Sequence, residues 1–101
     1  MFLVPPRFLE RAPSTLTSTV GDEVVLPCEV IGEPEPRLTW KKNLNVIDFF
    51  SGDQRYWRNE NGSMIIPTVE VDDAARYLCV AENPAGVTTQ EIQLIVHGTR
   101  H

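Results

Sequence analysis

Few side chains in this sequence have a capacity for chemistry. Two cysteines, Cys28 and Cys79, stand 51 positions apart, and two histidines, His97 and His101, lie near the C-terminal end. Three acids, Glu70, Asp72 and Asp73, fall close together. Structural zinc takes paired, closely spaced ligands, which this cysteine separation does not supply. A catalytic thiol needs a neighbouring base and an electropositive pocket, whereas both cysteines sit in alternating apolar runs that bury them. A disulfide is the leading reading of the pair, and a reduced buried pair stays open beside it. Calcium would need about six to eight oxygen ligands, and the three acids read instead as a solvated turn, where acidic residues are common. No paired-carboxylate pocket, serine–histidine arrangement or phosphate-cradling glycine loop is recognisable. No catalytic residue, metal or cofactor is therefore expected. One modification motif is present: Asn61-Gly62-Ser63 has the form of an N-glycosylation sequon, in residues that a tight turn also favours.

The elements that must position these residues read as short strands. Eight prolines and six glycines punctuate β-type runs throughout. Val24, Leu26, Cys28 and Val30 alternate with Val25, Pro27, Glu29 and Ile31, a period of two that gives a strand one buried face. After a turn at Pro34-Glu35-Pro36, Leu38 and Trp40 share a face. Asn61-Gly62 signals a hairpin leading into Met64-Ile65-Ile66. Beyond Asp72-Asp73, Ala75, Tyr77, Cys79 and Ala81 alternate again. Asn83-Pro84-Ala85-Gly86 marks a second hairpin, and Ile92, Leu94 and Val96 share the last inward face. About seven or eight such strands make an all-β sandwich or barrel.

Hydrophobic residues at 42% and charged residues at 23% of 101 are the balance of one globular domain. We place it at residues 6–97, with residues 1–5 and 98–101 as linker or tail of a longer array. Residues 1–4, closed off by Pro5-Pro6, are too short for a signal peptide. The net charge of −5 leaves no basic surplus for phosphate, which argues against a nucleic-acid partner. No apolar run approaches the roughly 20 residues that cross a bilayer, so direct membrane insertion is not expected.

Cys28, Trp40 twelve positions later, and Asp73-x-Ala75-x-Tyr77-x-Cys79 together resemble the immunoglobulin superfamily. Gly21, Asn61-Gly62-Ser63-Met64-x-Ile66 and Ala81-Glu82-Asn83-Pro84-Ala85-Gly86 are similar to its intermediate, I-set, subtype. The resemblance runs from about Pro6 to Val96. It implies an antiparallel Greek-key sandwich of two sheets joined by a Cys28–Cys79 disulfide, with Trp40 packed on the bridge and Tyr77 as a tyrosine corner. It also implies a structural ion pair between Arg55 and Asp73. Leu26 and Leu94, inward by alternation, complete the expected core. For function it implies non-catalytic protein–protein recognition or cell adhesion within a larger multidomain protein, extracellular or at the cell surface, as in hemicentin-like matrix proteins or neural adhesion receptors. The alternative is a spacer domain of an intracellular titin-like muscle protein, whose cysteines would stay reduced. The stretch Leu44-Asn45-Val46-Ile47-Asp48-Phe49-Phe50 is more apolar than the family's usual connection and leaves open whether a strand forms there.

Partners are thus expected among proteins: neighbouring domains of the same chain and a docking partner, a second copy of the chain included. The −5 charge would favour neutral or basic ones. Leu78, Val80 and Ile95 lie out of phase with the core and would form an apolar stripe ringed by charge, the pattern of an interface core and rim. The second candidate surface is aromatic: Phe49, Phe50, Tyr56 and Trp57 are four of the chain's eight aromatic residues, and such residues dominate interface hot spots. A two-residue turn at Asn61-Gly62 would bury Trp57 beside Ile66, while a longer turn points Tyr56 inward and Trp57 outward. A one-residue slip exchanges the faces, and we take the second register. Phe49 and Phe50, being adjacent, cannot both be buried in one strand. At least one is expected to meet a partner, a neighbouring domain or the sheet edge.

Overall fold

The computed structural model describes residues 2–50 and 55–98. Its strands are β1 (Val4–Phe8), β2 (Thr15–Thr19), β3 (Val24–Leu26), β4 (Val30–Glu33), β5 (Arg37–Lys42), β6 (Asn45–Val46), β7 (Trp57–Arg58), β8 (Met64–Ile66), β9 (Ala75–Asn83) and β10 (Gly86–His97). A 3₁₀ turn, Val71–Asp73, precedes β9. One layer has the order β2-β10-β9-β5-β6, and the other consists of β3-β8-β7 and the pair β1-β4. All ladders are antiparallel except β2 with β10, which run parallel from Thr15–Gln93 to Thr19–His97.

More strand segments form than the sequence suggests because two chain paths are interrupted. Between β3 and β4 lies Pro27, which has no N–H to give a ladder; Cys28 follows it and donates its N–H to Ser63 Oγ at 3.1 Å instead. Between β1 and β2 the chain crosses from one layer to the other. Val4 and Pro5, read from the sequence as linker, are strand residues: Val4 pairs with Glu33, and its carbonyl accepts Asn83 Nδ2–H at 2.8 Å. His97 closes β10. Gly98 is the last described residue of the expected tail; residues 99–101, His101 among them, lie outside the described residues.

The core lies between the layers. Leu26, Met64, Ile66 and Val69 from one side meet Trp40, Tyr77, Ile92 and Leu94 from the other, all buried, around a Cys28–Cys79 disulfide. Each fully buried Leu, Ile or Met side chain contributes about 1.5–3 kcal/mol through removal from water. Trp40 pairs with Cys79 across the β5–β9 ladder. Its indole N–H, which could not be buried unpaired without cost, donates to the Gly62 carbonyl at 2.8 Å.

The β7–β8 hairpin settles the register that the sequence left ambiguous. Trp57 pairs with Ile65 and Arg58 with Met64, and Gly62 takes φ +97°. That left-handed residue lengthens the turn beyond two residues, so Tyr56 packs against the core and Trp57 turns outward, half exposed.

Candidate functional site

The acids come first. Asp73 is fully buried. Arg55 grips it with both guanidinium ends, Nη1 to Oδ1 at 2.9 Å and Nη2 to Oδ2 at 2.6 Å. Tyr56 donates its hydroxyl to Oδ1 at 2.6 Å, and the Glu70 N–H donates to Oδ2 at 2.7 Å. Burial alone would push this carboxyl up, but the hydrogen bonds from Arg55, Tyr56 and Glu70 outweigh it and hold Asp73 below the ordinary carboxylate range. The same bond to Asp73 raises Arg55, against the opposing effect of burial. Tyr77 donates to the Asp73 carbonyl at 2.6 Å, four residues back along its own chain. Burial first, and Tyr56 and Asp73 after it, push the Tyr77 hydroxyl well above the tyrosine range. Lys42 caps the cluster, reaching the Tyr56 hydroxyl at 3.0 Å and the Asp72 carbonyl at 2.9 Å. These bonds tie Arg55, Tyr56, Tyr77 and Lys42 to Asp73 and its neighbours, so the network fixes one end of the sandwich. Among the described residues no three His, Cys, Asp or Glu side chains cluster to hold a metal ion.

An open surface begins at the β5–β6 hairpin. Lys42 pairs with Asn45, leaving Asn43 and Leu44 as the two turn residues. Both have positive φ, +48° and +74°. A two-residue turn of this kind favours Asn-Gly, because glycine enters the left-handed region without a Cβ clash. This chain has Asn-Leu. Asn43 anchors the tip to β9: its N–H donates to the Arg76 carbonyl at 2.8 Å, and its Oδ1 accepts the Arg76 N–H at 3.0 Å. Leu44 is thereby fixed in a strained conformation and left 82% exposed, with Val46 beside it at 65%. Asn43, Leu44, Arg76, Leu78 and Glu91 enclose a shallow hollow of about 320 Å³.

Ladder register places the rest of this face. Leu78 sits between Lys41 and Glu91, and Val80 between Thr39 and Thr89. Val46 lies on the far side of Lys41. Ile95 is separated from Leu78 by the Arg76–Gln93 row and pairs with Thr17. Arg76 also bonds Glu91 at 3.3 Å across the surface. The expected stripe of Leu78, Val80 and Ile95 is therefore broken. Equal phase puts three residues on one face, but the Arg76–Gln93 row separates Ile95 from Leu78. Leu78 instead shares the hollow with Leu44, while Val46 lies exposed beyond Lys41. Neither Leu44 nor Val46 was singled out from the sequence, although a leucine where the turn wants glycine was the available signal. The outward positions of β5, β9 and β10 carry Arg37, Lys41 and Arg76 against Glu82 and Glu91. Charge on this face is therefore nearly balanced, three basic side chains against two acidic ones.

The aromatic group divides. Phe49 is half-buried against the core and Tyr56 belongs to the Asp73 network. Phe50, in a turn where Asp48 Oδ1 accepts its N–H at 2.9 Å, is 96% exposed. Phe49, Phe50, Trp57 and Arg58 line a second hollow of about 580 Å³. The two phenylalanines are not in a strand, because β6 stops at Val46. Asn61 is exposed at the tip of the β7–β8 hairpin.

A model of the immunoglobulin I-set domain matches residues 6–96. The chain belongs to this family. Among curated relatives, the netrin receptor DCC of Mus musculus is 40% identical over 85 residues, which is 84% of this chain and 6% of the receptor. Hemicentin-1 of the same species is 40% identical over 96 residues, 88% of this chain and 2% of its own length. The I-set domain thus spans only a small fraction of the curated relatives it matches. Extracellular domains 3–5 of Drosophila OTK superpose with a TM-score of 0.85 at 31% identity, covering 94% of this chain and 32% of that one. An immunoglobulin complex of titin M10 with obscurin-like 1 gives 0.84 at 26% identity, covering 97% of this chain and 99% of that one.

Proposed function

We propose that this I-set domain is a non-catalytic recognition and adhesion module of a larger multidomain protein, extracellular or at the cell surface. It docks a protein partner as a rigid body through the β5–β6 edge of the five-stranded sheet. The observation that carries the reading is Leu44, held at positive φ and exposed at the rim of a hollow that it shares with Leu78. Strain of this kind costs of order 1–3 kcal/mol and persists where the surroundings impose it, typically at contact sites. Water-exposed leucine at such a cost has no benefit to folding, whereas an apolar tip with Lys41, Arg76 and Glu91 around it matches the core and rim of an interface. Similarity to the netrin receptor DCC and to hemicentin-1 supports the adhesion class, and the disulfide supports an oxidising compartment.

The test is binding of the oxidised chain to an array of cell-surface ectodomains, its own copy among them, beside Leu44→Asp. A specific partner captured by the wild type and lost by the variant, with unchanged circular dichroism, is the expected result. Equal capture by both, or no specific capture at all, overturns the reading of the site. Two free thiols in unreduced protein from its natural source would overturn the compartment and restore the intracellular spacer.

A further inference from the structure

We infer that Asn61 is an N-glycan attachment site, and that it accepts its glycan only before this domain folds. The Asn61-Gly62-Ser63 turn supplies the argument, because its three residues are not equally required by the fold. Gly62 has no substitute: at φ +97° an added Cβ would collide with Leu38 Cδ1 and come within 2.7 Å of the Cys28 carbonyl oxygen. Ser63 is required too. It is only 4% exposed, and its Oγ accepts the N–H of Cys28, which follows Pro27 at the break in the strand. Asn61 is dispensable. Its Oδ1 accepts the Ser63 N–H at 3.0 Å, but Asn59 Oδ1 already serves the same N–H at 3.1 Å. The Asn61 side chain is exposed, and among the described residues its amide nitrogen has no hydrogen-bond partner. The fold therefore leaves available the one nitrogen that the modification uses.

The chemistry is transfer of an oligosaccharide from a lipid-linked pyrophosphate donor. Asn61 Nδ2 attacks the anomeric carbon, a C–N bond forms, the bond from that carbon to the pyrophosphate oxygen breaks, and the amide releases one proton as the lipid pyrophosphate departs. The acceptor must also show the hydroxyl two residues on, which is why the sequon requires Ser or Thr there. In the folded domain that hydroxyl is buried against Cys28. Glycosylation and closure of β8 onto the Cys28 segment therefore exclude one another in time, and the glycan must arrive first. Once attached, it projects from an exposed hairpin tip and disturbs no bond that Asn59 does not duplicate.

The experiment appends a secretion signal to the chain, so that the outcome does not depend on where the parent protein resides. Secreted wild type should lose mass on treatment with peptide N-glycosidase, and Asn61→Gln should lose none while keeping the same circular dichroism. In a second arm, unglycosylated bacterial protein is offered to purified oligosaccharyltransferase with its lipid-linked donor. The reduced, unfolded chain should be modified and the oxidised, folded domain should not. Absence of any mass loss in the secreted wild type overturns the site. Modification of the folded domain as fast as the unfolded chain overturns the order of events.

Discussion

Replacing Leu44 should separate folding from binding, because the two properties place opposite demands on that residue. In the structure Leu44 has φ +74° and is 82% exposed. A non-glycine residue in the left-handed region costs roughly 1–2 kcal/mol. Glycine removes that cost but adds about 0.4–1 kcal/mol of unfolded-state entropy. The small buried part of the leucine is worth a few tenths of a kcal/mol at most on a full-burial value of about 1.5–3 kcal/mol. Leu44→Gly should therefore leave stability unchanged or raise it by up to about 1 kcal/mol, a shift of no more than about 8 °C in Tm for a domain of this size. Leu44→Ala is the control, since it removes the same contacts while keeping the strain, and it should be about 1 kcal/mol less stable than Leu44→Gly. Urea unfolding of the oxidised proteins measures both, read from midpoints at constant slope. Both variants should weaken partner binding about tenfold, from the loss of roughly 1–2 kcal/mol of burial at the interface. If alanine proves as stable as glycine, the turn is not strained and the argument for a selected leucine fails. If both variants bind as the wild type does, the docking edge is elsewhere.

Four further outcomes follow from the interior. Arg55→Met leaves Asp73 buried without its cation and should cost about 2–3 kcal/mol in chemical denaturation. Because Asp73 is held below its unfolded value, near 3.9, it stabilises the fold fully above that pH. The contribution is lost as pH falls through the lower, folded value. Asp73→Asn should therefore be less stable at neutral pH but show a flatter acid limb in a pH–stability scan. Reduction of Cys28–Cys79, which closes a loop over 51 positions, should remove about 4 kcal/mol on the chain-entropy model, seen as a lower urea midpoint with reductant present. Gly62→Ala meets both a forbidden φ and the Leu38 and Cys28 atoms, and should destabilise by more than about 2 kcal/mol; a loss under 1 kcal/mol would show that the turn can relax.

Inward residues were legible because alternation reports phase. Leu26, Cys28, Trp40, Tyr77, Cys79, Ile92 and Leu94 all lie in the buried layer that their period of two assigns them. Phase does not report the row, which depends on how strands pair. Ile95 therefore shares a face with Leu78 without being near it. Trp57 depended on one extra turn residue, and only the left-handed Gly62 decides that count. Leu44 and Val46 sat in a stretch with no period, where the local signal was turn chemistry rather than hydrophobicity. Val4 and Pro5 looked like linker because proline suits an extended spacer, yet an edge strand tolerates proline as well.

The parallel ladder of β2 with β10 has a mechanical consequence. The chain enters beside Asn83, which holds Val4, and leaves beside Val20, whose N–H bonds the His97 carbonyl. These points lie at opposite ends of β10. Tension applied along the polypeptide would draw β2 and β10 past one another lengthwise, so the bonds between residues 15–19 and 93–97 would bear load together rather than opening in succession. Behind that clamp, the Cys28–Cys79 crosslink prevents the segment it encloses from lengthening. A pulled domain would yield abruptly and then extend only through the residues outside the loop, which single-molecule stretching with and without reductant would register as two contour lengths.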